Sequence, residues 1–192
     1  MKVVLASASP RRKELLAGII PDFTVEPTSA EEVVLDSPWR TVIHNAMAKC
    51  SAVTSDADVV ISADTGVFLK KKFFGKPTDA EDAFTMLKTL NRRWHKVWTA
   101  VAVRYTQDGN EVTRASAVCS WVRLRFKDDQ AIRDYISTDS PLDKAGAYGI
   151  QDDIRAWHVG SLTNIIGLPV KETRSLVLKA ISEAIKNREA QC

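Results

Sequence analysis

The chain is poor in cysteine, and the three it has, Cys50, Cys119 and Cys192, are odd in number and far apart. Without a C-x-x-C pair they exclude a disulfide framework and a zinc site, and they point to a reducing, cytoplasmic setting. Long apolar runs are missing as well. No stretch approaches the ~20 residues of a membrane span, and residues 1–10 hold too short an apolar run for a leader. Neither sign of charge dominates. Twenty-seven Lys and Arg stand against 24 Asp and Glu, a net +3 with a pI near 8.8. That balance suits an anionic small molecule and is too weak for a nucleic-acid groove. Along the sequence no basic cluster is interleaved with aromatics, so no nucleic-acid or membrane partner is expected. The run Lys70-Lys71-Lys72 reads as a solvated hairpin tip. His44, His95 and His158 have no metal-ligand spacing and read as structural. The sequence also lacks G-x-S-x-G and the Walker phosphate loop, which removes acyl hydrolase and P-loop readings. There are no repeats or linkers.

What remains is an ordinary globular composition, 45% hydrophobic and 27% charged. A length of 192 residues fits one domain over residues 1–192 with a proper core. The chain is organised around residues 59–77, VVISADTGVFLKKKFFGKP. The β-branched run 59–63 predicts a buried strand that ends on Asp64-Thr65-Gly66, and open α/β sheets bind their ligands at such carboxyl ends. Gly75-Lys76-Pro77 then sets one cation on a stiff turn. Upstream, residues 2–6 predict a strand, and S-A-S-P turns into a helix with Ser9 as N-cap and Pro10 at N1. Arg11 and Arg12 sit in that first helical turn against the helix dipole, which points to a bound phosphate. On the dipole argument alone, Arg12→Ala leaves stability unchanged or slightly raised.

Further elements follow from pattern. Residues 23–25 predict a short strand and 27–36 a polar loop with Glu31 and Glu32. A helix spans 37 to about 55, on whose buried stripe Lys49 either snorkels outward or points at a ligand. Thr78-Asp79-Ala80-Glu81 reads as a capping box opening a helix lined by Phe84, Leu87 and Leu90. Residues 94–105 and 112–125 predict a hairpin about Asp108-Gly109, and 128–136 a helix. Residues 140–153, SPLDKAGAYGIQD with its flanks, form a candidate functional loop. A strand at 154–158, a loop at 159–169 and a helix at 169–186 with Val177, Ile181 and Ile185 inward complete the chain.

Collected, the loops offer Arg11, Arg12, Lys49, Lys76 and Lys144 with Glu31, Glu32, Asp64, Asp143 and Gln151. Several cations with two or three carboxylates suit phosphate-ester chemistry with a divalent metal. The cations neutralise phosphates, and the carboxylates hold a hard metal or take a proton from water. The pieces LASASPRRKELL (5–16), A-x-A-K (46–49), ISADTGV (61–67), GKPTDAEDAFTMLKTL (75–90), HKVWTAVAV (95–103), PLDKAGAYGIQD (141–152) and NIIGLPV (164–170) resemble the Maf family in unbroken order. The resemblance implies a two-lobed α/β fold, a mixed sheet with flanking helices similar to inosine triphosphate pyrophosphatase-like (Maf/Ham1) folds. It implies a cytoplasmic nucleoside triphosphate pyrophosphatase, linked in bacteria to septum formation, that uses Mg²⁺ or Mn²⁺ and forms a homodimer. By position, Ser7, Arg11 and Arg12 match the phosphate-binding turn, Glu32 and Lys49 its acidic and basic partners, and Asp64 the catalytic aspartate. Lys76 matches the lysine of the glycine-lysine-proline turn and Gln151 the late glutamine. Asp64 and Glu32 either hold metal or serve as base. Asp64-Thr65 resembles the branch that accepts dTTP, UTP and modified pyrimidine nucleotides, where the 7-methyl-GTP branch carries glutamine. Thr65 and Gln151 are placed near base, ribose or phosphate. The alternative is a nucleotide-binding division regulator with little turnover. Three positions depart from the family pattern: Arg92 and Ala100, where glycine is usual, and Ser140, where glutamate is.

Overall fold

A computed structural model describes residues 1–138 and 141–189; Ser140 and Cys192 therefore lie outside the described residues. The elements run β1 (Val3–Leu5), α1 (Pro10–Ala17), β2 (Thr24–Val25), α2 (Pro38–Ser51), β3 (Val59–Leu69), β4 (Lys72–Phe74), α3 (Ala80–Leu90), β5 (His95–Gln107) and β6 (Asn110–Leu124). Then come α4 (Asp129–Thr138), two 3-10 turns, β7 (Ala156–Val159), α5 (Leu162–Ile166) and α6 (Val170–Glu189). The chain is thus a mixed α/β fold. Seven strands form one sheet in the order β2-β1-β3-β5-β6-β7, with β4 also on β3. β1 is parallel to β2 and β3, whereas β4, β5, β6 and β7 join antiparallel.

Three apolar clusters hold helices to this sheet. Leu5, Ile61, Val101 and Val103 meet Leu16 of α1 and Val177, Ala180 and Ala184 of α6. On the opposite face Val4, Val60, Ala100 and Ala102 meet Val42, Ala46 and Cys50 of α2. At the far end Val67, Val97, Val122 and Leu124 pack with Leu87 and Leu90 of α3 and Ile132 of α4. Strand side chains alternate between faces, so neighbouring residues of β3 and β5 feed different clusters.

Several expected boundaries move. β3 does not end at Asp64; it runs unbroken through Asp64-Thr65-Gly66 to Leu69 because β5 pairs with it from Val59 to Phe68. α2 stops at Ser51, its last amide bond made by Ala52 to Ala48. The capping box of α3 is set one residue later. Asp79 accepts from the Asp82 amide at 2.8 Å while Asp82 accepts from the Thr78 amide at 3.0 Å, aspartate being as good an N-cap as threonine. Glu81 instead pairs with Arg133 at 2.9 Å. The segment expected as a loop at 159–169 contains α5, capped by Ser161 on the Asn164 amide. In α6 the inward set is Thr173, Val177, Ala180 and Ala184, leaving Ile185 46% exposed.

Of the two departures inside the described residues, Ala100 is fully buried against α2. Arg92 adopts φ +60°, a conformation glycine takes freely and an L side chain does not. Its side chain offsets part of that strain by donating to the Lys127 carbonyl at 3.3 Å.

His95, at the start of β5, is buried. Its Nδ1 lies 3.0 Å from the Arg93 carbonyl and must carry the proton, so Nε2 accepts from the Tyr148 hydroxyl at 2.8 Å. Burial drives the imidazole pKa down to about 4, against a smaller upward pull from the Arg93 carbonyl. The unfolded chain takes up this proton near 6.5 and the folded chain only near 4. Stability from this residue is therefore complete above pH 6.5 and falls by about 3 kcal/mol as the pH drops to 4. Thermal melts across that window are expected to slope less for His95→Gln than for the wild type, although the variant is less stable at neutral pH. Parallel slopes would contradict the burial of a neutral imidazole.

Candidate active site

One edge of β3 has two partners that do not meet. β1 pairs with Val59, Val60 and Ile61, and β4 with Val67, Phe68 and Leu69. Between them residues 62–66 have no strand on that side, and the chain of β1 leaves the sheet into the 6–9 turn that opens α1. A cleft of about 340 Å³ opens at this gap. It is lined by the turn from Ala6 to Arg12, by Glu32, Lys49, Asp64, Thr65 and Lys76, and by Asp143, Lys144 and Tyr148 of the 3-10 segment.

The carboxylates are fixed by α2. Asp64 is 5% exposed and is held at both oxygens, Oδ1 by Lys49 Nζ at 2.6 Å and Oδ2 by Asn45 Nδ2 at 3.3 Å. Lys49 also meets Glu32 Oε1 at 2.6 Å, so one ammonium is shared by two carboxylates. Burial pushes the Glu32 carboxyl up, but the hydrogen bond and charge of Lys49, helped by Lys76 and Arg12, outweigh it and hold the group below the usual range. The stripe position of Lys49 resolves accordingly: it points into the cleft.

The other face of β3 receives Arg12. Its Nε donates to the Gly167 carbonyl at 3.0 Å, one Nη to Thr65 Oγ1 at 3.1 Å and the other to Ser7 Oγ at 3.3 Å. Thr99 Oγ1 donates to the Asn164 carbonyl at 2.8 Å, so at its 3.0 Å contact with Thr65 it accepts. The Thr65 proton is thereby committed to Thr99 and one lone pair to Arg12. Toward the cleft Thr65 is an acceptor only. Ser9 caps α1 as expected, through the Arg12 amide. Arg11 is less constrained, 3.6 Å from Asp143.

The structure therefore gathers Ser7, Arg11, Arg12, Glu32, Lys49, Asp64, Thr65 and Lys76 around one cleft. Gln151 is not among its lining residues; it is exposed on the turn that precedes β7. Lys144 and Tyr148 line the cleft from the same loop; the sequence offers Lys144 among its cations and leaves Tyr148 unassigned. Lys144 is buried, 3.1 Å from Asp143 and 3.9 Å from Asp152, and Tyr148 stands behind it on His95. Their signal was the Gly- and Ala-rich run AGAYG, since Gly146 and Ala147 both take positive φ (+71° and +61°) to fold the loop over Val67.

A family model described as Maf-like protein matches residues 2–180. The chain belongs to the Maf family. A Maf relative from Clostridium botulinum (strain Eklund 17B / Type B), named dTTP/UTP pyrophosphatase, is 40% identical over 195 residues, 94% of this chain and all of that one. Another of the same name from Thermococcus gammatolerans is 40% identical over 173 residues, 88% of this chain and 91% of that one. Among solved structures, the Ham1 protein of Staphylococcus aureus overlaps with a TM-score of 0.45 at 16% identity, covering 64% of this chain and 72% of that one.

The cleft of this Maf protein offers a cation oxygen donors only. No group of three or more His, Cys, Asp or Glu gathers among the described residues. Two carboxylates opening on one cleft, Asp64 and Glu32, fit a hard cation that completes its shell with phosphate oxygens and water, as Mg²⁺ does. They do not make a structural zinc site, which closes with four ligands drawn from Cys and His.

The two arginines of the Maf turn are expected to separate. The Arg12 side chain is tied to the turn before α1, to β3 and to the residue after α5, so the dipole argument fails for it. Arg12→Ala is expected to cost about 2–3 kcal/mol, the loss of charge-assisted bonds from a poorly exposed site. Arg11→Ala, losing one long ion pair, should melt within experimental error of the wild type while binding inorganic triphosphate more weakly. Equal melting temperatures for the two variants would refute the division.

Proposed function

We propose that the chain is a nucleoside triphosphate pyrophosphatase that hydrolyses dTTP and UTP, or modified pyrimidine triphosphates, to the monophosphate and pyrophosphate. The observation that carries this reading is the buried Asp64 carboxylate, oriented at both oxygens by Lys49 and Asn45, in the same cleft as Arg11, Arg12 and Lys76. The names of the curated relatives support the substrate class. Water attacks the α-phosphorus, the bond from that phosphorus to the α,β-bridging oxygen breaks, and pyrophosphate leaves with that oxygen. Asp64 takes the water's proton. Its two donors fix the direction of its lone pairs, so little reorganisation is needed when the proton arrives. Arg11, Arg12 and Lys76 bind the phosphates and stabilise the charge that accumulates on the leaving group. Asp64 and Glu32 would hold Mg²⁺ or Mn²⁺, whose chemistry here is to neutralise phosphate charge and lower the pKa of water.

Thr65 bears on the base. An acceptor-only hydroxyl suits the ring N–H that thymine and uracil carry and cytosine lacks. We expect kcat/KM to favour dTTP and UTP over dCTP, and Thr65→Val to narrow that ratio while leaving the fold intact. A dCTP rate equal to that for dTTP in the wild type would remove Thr65 from base recognition.

Asp64→Asn keeps the volume of the side chain and one acceptor for Lys49 but abolishes its basicity. Turnover is expected to fall by ~10²–10⁴-fold, with affinity for a non-hydrolysable analogue little changed or tighter. Pyrophosphate release and calorimetry on one preparation measure both. Turnover within a few-fold of wild type would displace the role onto Glu32.

A further inference from the structure

α2 covers only part of its face of the sheet. It packs over Ala100, Ala102, Ala115 and Ala117, and beyond these the same face continues across β5, β6 and β7. There the register sets Lys96 beside Trp121 and Trp121 beside Val159, and sets Arg123 beside Trp157. One step further the Arg125 amide meets the Arg155 carbonyl at 2.8 Å. Trp94 immediately precedes β5. Along β6 and one residue past it the alternation is strict: Val122 and Leu124 are fully buried on the inner side, and Trp121, Arg123 and Arg125 are exposed. Trp94, Trp121 and Trp157 are each about two-fifths exposed, at 42%, 41% and 42%. Cations and indoles therefore alternate over three adjacent strands, a pattern that the linear sequence spreads over more than 60 residues and hides.

The cations of this face lack partners of opposite charge. Among the described residues none of Lys96, Arg123, Arg125 and Arg155 lies within ion-pair distance of a carboxylate. Two of them lean on the rings instead, Lys96 Nζ 5.0 Å from the centre of Trp121 and Arg155 5.8 Å from that of Trp157. Arg123 is steadied by a bond from Nε to the Arg92 carbonyl at 3.2 Å. A set of half-exposed indoles on rigid strands, with uncompensated cations between them, is complementary to a flexible polyanion carrying flat aromatic groups.

We propose that this face binds single-stranded nucleic acid, with bases stacked on Trp121 and Trp157 and phosphates on the cations between them. Exposed aromatics on a sheet are a recurrent platform for unpaired bases, and stacking tolerates any sequence because every base has a π-face. A second copy of this chain is disfavoured, since two such faces would bring unpaired cations against one another. An anionic bilayer is disfavoured because the apolar groups are dispersed among charges and Val159 is the one aliphatic side chain of the grid, which leaves nothing to insert.

The test is fluorescence anisotropy of a labelled, unstructured oligonucleotide of mixed sequence with a 5′-hydroxyl, titrated with the full chain at several salt concentrations. Binding is expected, and Trp121→Leu/Trp157→Leu should weaken it tenfold or more at unchanged salt slope. Arg123→Gln/Arg155→Gln should make the slope of log K against log salt shallower by about 1.4, from ~0.7 per phosphate contact. Both double variants should keep the melting temperature and the dTTP hydrolysis rate of the wild type, and an excess of a non-hydrolysable dTTP analogue should not displace the oligonucleotide. Absence of binding at low salt overturns the proposal. So does displacement by the analogue, which would place the strand in the cleft, or wild-type affinity in both variants. Binding to anionic vesicles but not to the oligonucleotide, or a dimer in sedimentation that the tryptophan variant dissociates, would assign the face to a membrane or to a second copy.

Discussion

The site depends on an interruption in pairing along one edge of β3. Its first three residues are held by β1 and its last three by β4, while β5 pairs along almost the whole of its other edge. A continuous backbone on one side therefore coexists with a gap on the other, and the gap is where consecutive side chains that point to opposite faces open on one cleft. Asp64 goes to the α2 face and Thr65 to the α5 face, yet both line the same space. A strand that ended at Asp64 would need a loop to position it. Here the carboxylate is set by a central strand with full ladder support, which favours precision over adaptability.

That placement has an electrostatic cost, and α2 offsets it. A carboxylate 5% exposed is stable only with charge-assisted hydrogen bonds, and Lys49 and Asn45, one helical turn apart, supply them. Because the same ammonium serves Glu32, the loop at 27–36 is drawn onto the cleft without a regular element of its own; Asn45 reinforces this by bonding the Val33 backbone at both its amide and its carbonyl. Substrate phosphates add negative charge to a cleft in which two carboxylates already share one ammonium. The cations with the least internal commitment, Arg11 and Lys76, are the ones placed to answer it.

How much of this was legible in the sequence varies with the physics behind each signal. Ser9-Pro10 announced α1 because cap chemistry is local, and 59–63 announced β3 because a β-branched run is. The end of β3 is not legible locally, because Asp64-Thr65-Gly66 carries the signature of a turn and only pairing with β5, distant in sequence, overrides it. Thr78 looked like the cap of α3, and Asp79 took the position because both are competent and the choice falls to the packing of α3. The charged cleft was legible as a set of residue types, but not its division of labour. Nothing local distinguishes Arg11, half free, from Arg12, bonded to three separate segments. Gln151 was placed by resemblance to a family pattern, while the loop's positive-φ turn at Gly146 and Ala147 turns Lys144 and Tyr148 to the cleft and leaves Gln151 outside it.

The bonding of Arg12 also carries information inward. Its proton goes to Thr65, that of Thr65 to Thr99, and that of Thr99 to the Asn164 carbonyl, while the Asn164 amide donates to Val97 and to Ser120 Oγ at 2.9 Å. Every hydrogen in this chain has one direction, because it ends on a carbonyl that cannot donate. The polarity of Thr65 is thus set not by Thr65 but by α5, reached through Thr99 on the neighbouring strand β5. Replacing Thr99 with a residue lacking a hydroxyl would free the Thr65 proton to turn toward the cleft, converting an acceptor into a donor without touching a residue that lines the cleft. In buried polar networks of this kind the orientation of a hydroxyl, rather than its presence, is what the fold specifies.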